Sequence, residues 1–129
     1  MKKIAIIILL AIPCLIHSRD WSTVVASIAH VESNGDASAV NGDAVGLLQI
    51  RPVLVKDVNR ILKKRKSNKR YSLKDRYNAR KSREMFEIYQ SYYNPNGSVE
   101  RAIRLWNGGC GDSISGTQKY YNKVKKAMQ

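Results

Sequence analysis

The chain has 129 residues, enough for one domain and no second core. It carries 23 basic against 10 acidic side chains, a formal net charge of +13, with 43% hydrophobic residues. A field of that sign gathers polyanions at the surface. With two His and two Cys in all, a structural or catalytic zinc site lacks ligands, and no cofactor is expected.

Lys2 and Lys3 precede an apolar run from Ile4 to Ile16, which gives way to His17-Ser18-Arg19-Asp20. A positive start, a short apolar middle and a polar junction form the layout of a secretory signal, so residues 1–18 are read as a signal peptide. Residues 19–129 are then the mature domain, exported to the periplasm or secreted. The run is shorter than the roughly 20 residues of a spanning helix, and Pro13 interrupts it. The competing readings are an uncleaved N-terminal membrane anchor and a lipoprotein signal ending at Cys14. With Cys14 in the signal, Cys110 is the one cysteine of the mature domain, and it reads as a small loop thiol.

Trp21, Val24, Val25, Ile28 and Val31 recur at helical spacing, with Asp20 or Ser22 as cap and Asn34-Gly35 as the stop. The looser stretch Asp36 to Gly46 holds Asn41-Gly42-Asp43, a turn signal that can join two short strands. Pro52 opens a second helix carrying Val55, Val58, Ile61 and Leu62. It runs into the basic stretch Lys63 to Arg70, which resembles a nucleic-acid patch but also suits an anionic cell envelope. Asp75 to Tyr93 is expected to be the longest helix, with Tyr77, Met85, Ile88, Tyr89 and Tyr92 on one side. Asn94-Pro95-Asn96-Gly97 breaks it, and Ser98 caps a fourth helix through Ile103 and Trp106. Gly108 to Gly116 reads as a glycine-rich loop and Thr117 to Met128 as the last helix. The fold expected is mainly α, a small helical domain around a cleft with a short β-hairpin.

A serine triad would need a placed histidine, and His30 sits two residues from Glu32, where helical side chains diverge. Carboxylates are left to do the chemistry, and Glu32 stands out among them. It lies at the end of the apolar first helix, where the negative end of the dipole and the apolar face both disfavour its charged form. A raised pKa is what a general acid near neutrality requires.

Four blocks occur in order: Glu32-Ser33, Gly46-Leu47-Leu48-Gln49-Ile50, Trp106-Asn107-Gly108-Gly109, and Thr117, Tyr120 and Val124. Together they resemble the soluble lytic transglycosylase family, relatives of goose-type lysozyme in the lysozyme-like superfamily, across Trp21 to Val124. Asp75 and Asn78 resemble the family's segment at the start of its middle helix. The resemblance implies a lysozyme-like α+β fold and cleavage of peptidoglycan glycan strands by a monomer, with no specific nucleic-acid partner. It implies Glu32 as the catalytic acid/base, acting between N-acetylmuramic acid and N-acetylglucosamine with a 1,6-anhydro product. Ser33, Gly46, Gln49, Asn107 and Tyr120 would bind substrate. Trp106 departs from the family's usual Tyr or Phe, and Leu48 stands where Met is common. Two alternatives stay open: a hydrolytic muramidase, with Asp36 or Asp43 holding water, and a wall-binding module without chemistry.

Overall fold

A computed structural model describes residues 19–111 and 113–129; the expected signal peptide lies outside the described residues. Five α-helices make up most of the domain: α1 (Ser22–Ser33), α2 (Pro52–Lys64), α3 (Ala79–Tyr93), α4 (Val99–Gly108) and α5 (Ile114–Ala127). A 3-10 turn, Leu73–Tyr77, precedes α3. Between α1 and α2, β1 (Val40–Asn41) and β2 (Ala44–Val45) form an antiparallel hairpin pairing Val40 with Val45 and Asn41 with Ala44. Val45 then exchanges both backbone hydrogen bonds with Ile50, which folds the segment from Gly46 to Gln49 into a compact turn.

The mainly helical fold with one small hairpin is the architecture expected from the sequence. Helix α1 begins where Asp20 accepts from the Ser22 N–H at 2.9 Å. It ends where Asn34 enters the left-handed region and the N–H groups of Asn34 and Gly35 return to His30 and Ala29. Pro52 occupies the first turn of α2, and Ser98 accepts from the Arg101 N–H at 3.1 Å to cap α4.

Two boundaries differ from expectation. The segment from Asp75 to Tyr93 is not one helix: Asp75 accepts from the Ser72 N–H and closes the 3-10 turn, and Asn78 then caps α3 through the Lys81 N–H. Tyr77 ends the 3-10 turn and is exposed, off the stripe that buries Met85 and Tyr89. Helix α5 starts at Ile114, three residues before the expected Thr117, because the Ser113 hydroxyl accepts from the Gly116 N–H at 3.0 Å.

The core gathers Trp21, Ile28, Leu48, Val58, Phe86 and Val124. Phe86 sits at its centre, edge-on to Trp21 with centroids 5.7 Å apart and tilted against Trp106 at 5.0 Å. Helix α5 packs on both α1 and α4, and α2 lies on α3. This pairing leaves α2 and the C-terminal end of α4 facing each other across a cleft.

The basic stretch is less free than its charge suggests. Lys64 donates to the Tyr92 hydroxyl at 3.0 Å, Arg65 to the Ser91 hydroxyl at 2.8 Å, and Lys69 pairs with Glu84 at 3.1 Å. Each of these bonds pins the stretch to α3. Among the described residues, no helix is long and apolar enough to cross a membrane.

Candidate active site

The cleft has a volume of about 810 Å³ and is lined by Glu32 from the end of α1, Gln49 from the turn, and Trp106 and Asn107 from the end of α4. Its far wall is α2, with Val53, Lys56 and Arg60. Glu32, Gln49 and Asn107, three of the six residues singled out in the sequence, therefore meet in one cavity although they come from three separate elements. The other three, Ser33, Gly46 and Tyr120, lie outside the lining and support it.

Glu32 is half-buried, and that burial pushes its carboxyl above the ordinary carboxylate range; the Tyr120 hydroxyl and the Arg51 charge pull it part of the way back. The carboxyl also sits in the last turn of α1, at the negative end of the helix dipole. The Tyr120 hydroxyl is shut off from solvent and forms no well-shaped hydrogen bond. It is nonetheless near enough to Glu32 for each group to shift the other, and burial first, then the Glu32 charge, drives its own ionisation far above the usual phenol range. Tyr120 thus stays a neutral phenol behind the carboxyl.

Ser33 ties α1 to the turn. Its hydroxyl lies 2.7 Å from the Leu47 carbonyl and 3.1 Å from that of Ala29, in position to donate. Gln49 adopts φ 52°, in the left-handed region that non-glycine residues rarely occupy. Its side-chain amide holds it there, donating to Gly46 O at 3.0 Å and Ala39 O at 3.2 Å. With both amide hydrogens committed to the loop, its Oε1 is the group left to face the cleft. Strain of this kind persists where the surroundings over-determine it, which is common in binding sites.

Gly46 has a packing reason to be glycine. At φ 82° its Cα is buried against Arg76, and a Cβ would overlap the Arg76 carbonyl oxygen. Arg76 itself was not singled out in the sequence, yet it is buried and clamps the hairpin. Its guanidinium donates to Asp43 O at 2.8 Å, Ile50 O at 2.9 Å and Leu73 O at 2.9 Å. Trp106 supplies a second unforeseen clamp, its indole N–H donating to Leu48 O at 3.1 Å.

Three other described carboxylates each have a partner. Asp36 accepts from the backbone and hydroxyl of Ser38 in an exposed turn, and those bonds hold its carboxyl below the usual range. Asp43 pairs with Arg51 at 3.0 Å. Asp57, which the sequence reading passed over, does line the cleft. One of its oxygens accepts from the Tyr93 hydroxyl at 2.6 Å and the other faces Arg60 at 2.7 Å. His30 is exposed on α1, and Cys110 is an exposed loop thiol.

A helical domain with a half-buried carboxyl at the end of its first helix, opening on a cleft beside a small hairpin, has the architecture of a lysozyme-like glycosidase. The Transglycosylase SLT domain family matches the chain over residues 16–129. The chain belongs to that family, whose general activity is the cleavage of glycosidic bonds in peptidoglycan. Searches of curated proteins and of solved structures return no match.

Proposed function

We propose that this protein is an exported lytic transglycosylase that cleaves the β-1,4 bond between N-acetylmuramic acid and N-acetylglucosamine, with Glu32 as acid and then base. The observation that carries this reading is the pairing of environments in the cleft. Burial raises the proton affinity of the Glu32 carboxyl, whereas Asp57, the second carboxylate of the lining, is engaged by Arg60 and Tyr93.

In the proposed reaction Glu32 gives its proton to the bridging oxygen as the bond to the muramic C1 breaks, and the N-acetylglucosamine end leaves as an alcohol. The muramic N-acetyl oxygen closes on C1 and carries the positive charge. The Glu32 carboxylate then takes the proton of the muramic 6-hydroxyl as that oxygen attacks C1 and displaces the acetamido oxygen. The product is the 1,6-anhydro sugar, Glu32 recovers its proton, and no water is consumed. One carboxyl suffices because the substrate supplies the second nucleophile, in contrast to glycosidases with two acting carboxylates. Gln49 Oε1 from the turn and Asn107 from the end of α4 are proposed to fix the sugar at the cleavage point. Ser33, Gly46 and Tyr120 are proposed to hold the geometry behind them.

A hydrolytic muramidase would need a carboxylate free to hold water. Asp57 in the lining has both oxygens engaged, and Asp36 and Asp43, each bonded through one oxygen, lie outside the lining, which favours the intramolecular attack. Mass spectrometry of sacculus digests in heavy-oxygen water separates the two. The anhydro product is lighter by one water and unlabelled, whereas labelled reducing ends as the main product would overturn the transglycosylase reading. Export is part of the same proposal: intact mass of the secreted protein should place its N-terminus near Arg19, and retention of Met1 would mean an anchor.

A further inference from the structure

The wall of the cleft opposite Glu32 is cationic in a way that cleavage of a sugar–sugar bond does not require. Helix α2 presents Val53, Lys56 and Arg60 to the cavity, residues three and four apart and so on one face. Arg60 is neutralised by Asp57, and Arg51 at the mouth by Asp43. Lys56 has no carboxylate or hydrogen-bond partner among the described residues, although it is exposed and lines the cleft. Beyond it the same stripe continues to Lys64, where Arg60, Lys64 and Arg65 gather about the Tyr92 ring at 5.5, 5.5 and 5.9 Å.

A strand stripped of its stems offers this wall one charge per muramic sugar, the lactyl carboxylate held close to the ring. A peptide stem joined to that lactyl group replaces it with several free carboxylates carried well beyond the ring. We propose that Lys56 and the basic stripe it opens along α2 select glycan strands that still carry their peptide stems, over strands that have lost them. The inference rests on the peptidoglycan reading above and names which form of that substrate the cleft prefers. The dimensions agree. From Lys56 to Lys64 the helix rises about 12 Å at roughly 1.5 Å per residue. An extended stem of about four residues spans at most ~14 Å. A stem leaving the muramic sugar beside Glu32 can thus lie along α2 and bring its carboxylates past Lys56 toward the Tyr92 cluster.

The test compares kcat/KM on peptide-bearing glycan strands with kcat/KM on the same strands stripped by an amidase. It uses the wild type, Lys56→Glu, and Lys126→Glu as a remote charge control on the exposed end of α5. An exposed charge contact is worth about 1 kcal/mol or somewhat more when hydrogen-bonded, so the wild type should prefer peptide-bearing strands about three- to tenfold, chiefly through KM. That preference should fall close to unity in Lys56→Glu and persist in Lys126→Glu. A wild type without preference overturns the proposal, as does a Lys56→Glu protein that keeps it. Equal losses in both variants also overturn it, because the surface would then attract any polyanion. If the wild type cleaves neither substrate, the lytic reading falls instead. Co-sedimentation of the Glu32→Gln protein with the two kinds of strand then still decides the proposal, since equal binding refutes stem selection.

Discussion

The indole nitrogen of Trp106 donates to the backbone carbonyl of Leu48 at 3.1 Å, joining the end of α4 to the turn that carries Gln49. The same ring packs against Phe86 in the core and against Tyr89, and it also faces the cleft. Trp106 therefore fixes the spacing between Gln49 and its own neighbour Asn107, the two side chains proposed to grip the sugar. A Tyr or Phe, the residues usual at this place in the family, would keep an aromatic wall but could not make this bond from an indole nitrogen.

Trp106→Phe is accordingly expected to keep the fold and weaken the site. Loss of one hydrogen bond that leaves a carbonyl short of a partner costs about 1–2 kcal/mol, and the smaller ring adds a packing loss. For a domain of this size each 1 kcal/mol lowers Tm by roughly 4 °C. Thermal melts should show a fall of several degrees, and sacculus clearing should drop more than stability alone explains. A variant with wild-type clearing would mean that the turn is held adequately without Trp106.

Gly46→Ala should damage folding itself. The new Cβ would overlap the Arg76 carbonyl oxygen, and φ 82° is strained for any side chain. Left-handed backbone costs roughly 1–2 kcal/mol for an L-residue, and overpacking about 1–3 more. A loss of about 3 kcal/mol or more is therefore expected, read as a large fall in denaturation midpoint. If Gly46→Ala melts within a few degrees of the wild type, the close approach to Arg76 is not what requires glycine there.

Much of this organisation is legible in the sequence, and the parts that are not share one property. The caps and stops of α1, α2 and α4 depend on residues within one turn, so Asn34-Gly35, Pro52 and Ser98 announce them. The start of α3 is hidden because Asp75 and Asn78, which look like continuous helix, each cap a separate element. Glu32 is legible through its place at the end of an apolar helix, and Gln49 and Asn107 through the order of the blocks. What is not legible joins distant positions. The Trp106–Leu48 bond spans 58 residues, the Asp57–Tyr93 bond 36, and the Arg76–Ile50 bond 26. A buried Arg satisfied by backbone carbonyls has no local pattern, and Asp57 reads as an ordinary surface residue of α2 until α3 is folded against it.

Glu32→Gln should abolish clearing, with a fall in rate of several orders of magnitude, because an amide has no proton to give. It should also change how stability depends on pH. The folded-state pKa of Glu32 is raised, mainly by burial, so the folded state holds this proton more tightly than the unfolded chain does. Its contribution is fully present below the unfolded pKa and is lost as pH rises through the folded one. The Tm of the wild type relative to Glu32→Gln should therefore decline as pH climbs from about 4.5 toward neutrality. Asp20, Asp36 and Asp75, with lowered pKa values, act in the opposite sense at more acidic pH and cancel from the comparison. A pH-independent difference would mean that Glu32 titrates like a surface carboxylate.

Tyr120→Phe tests the phenol behind the carboxyl. The Tyr120 hydroxyl is sealed from solvent, and its own ionisation lies far above the working pH, so it acts on Glu32 as a fixed dipole and not as an acid. That dipole favours the charged carboxylate and pulls the Glu32 pKa down against the larger effect of burial. Removing it leaves burial less opposed, and the Glu32 pKa should rise further. Activity that requires protonated Glu32 falls as pH passes that value, so the alkaline limb of the kcat profile should move to higher pH in Tyr120→Phe. Because the phenol oxygen makes no well-shaped hydrogen bond in its buried position, its loss should cost little stability, and Tm at acidic pH should stay near that of the wild type. The Tm decline attributed to Glu32 should extend to higher pH along with the kinetic limb, since both report the same proton. A large rise in KM with an unmoved alkaline limb would show instead that Tyr120 touches the sugar directly and has no part in tuning Glu32.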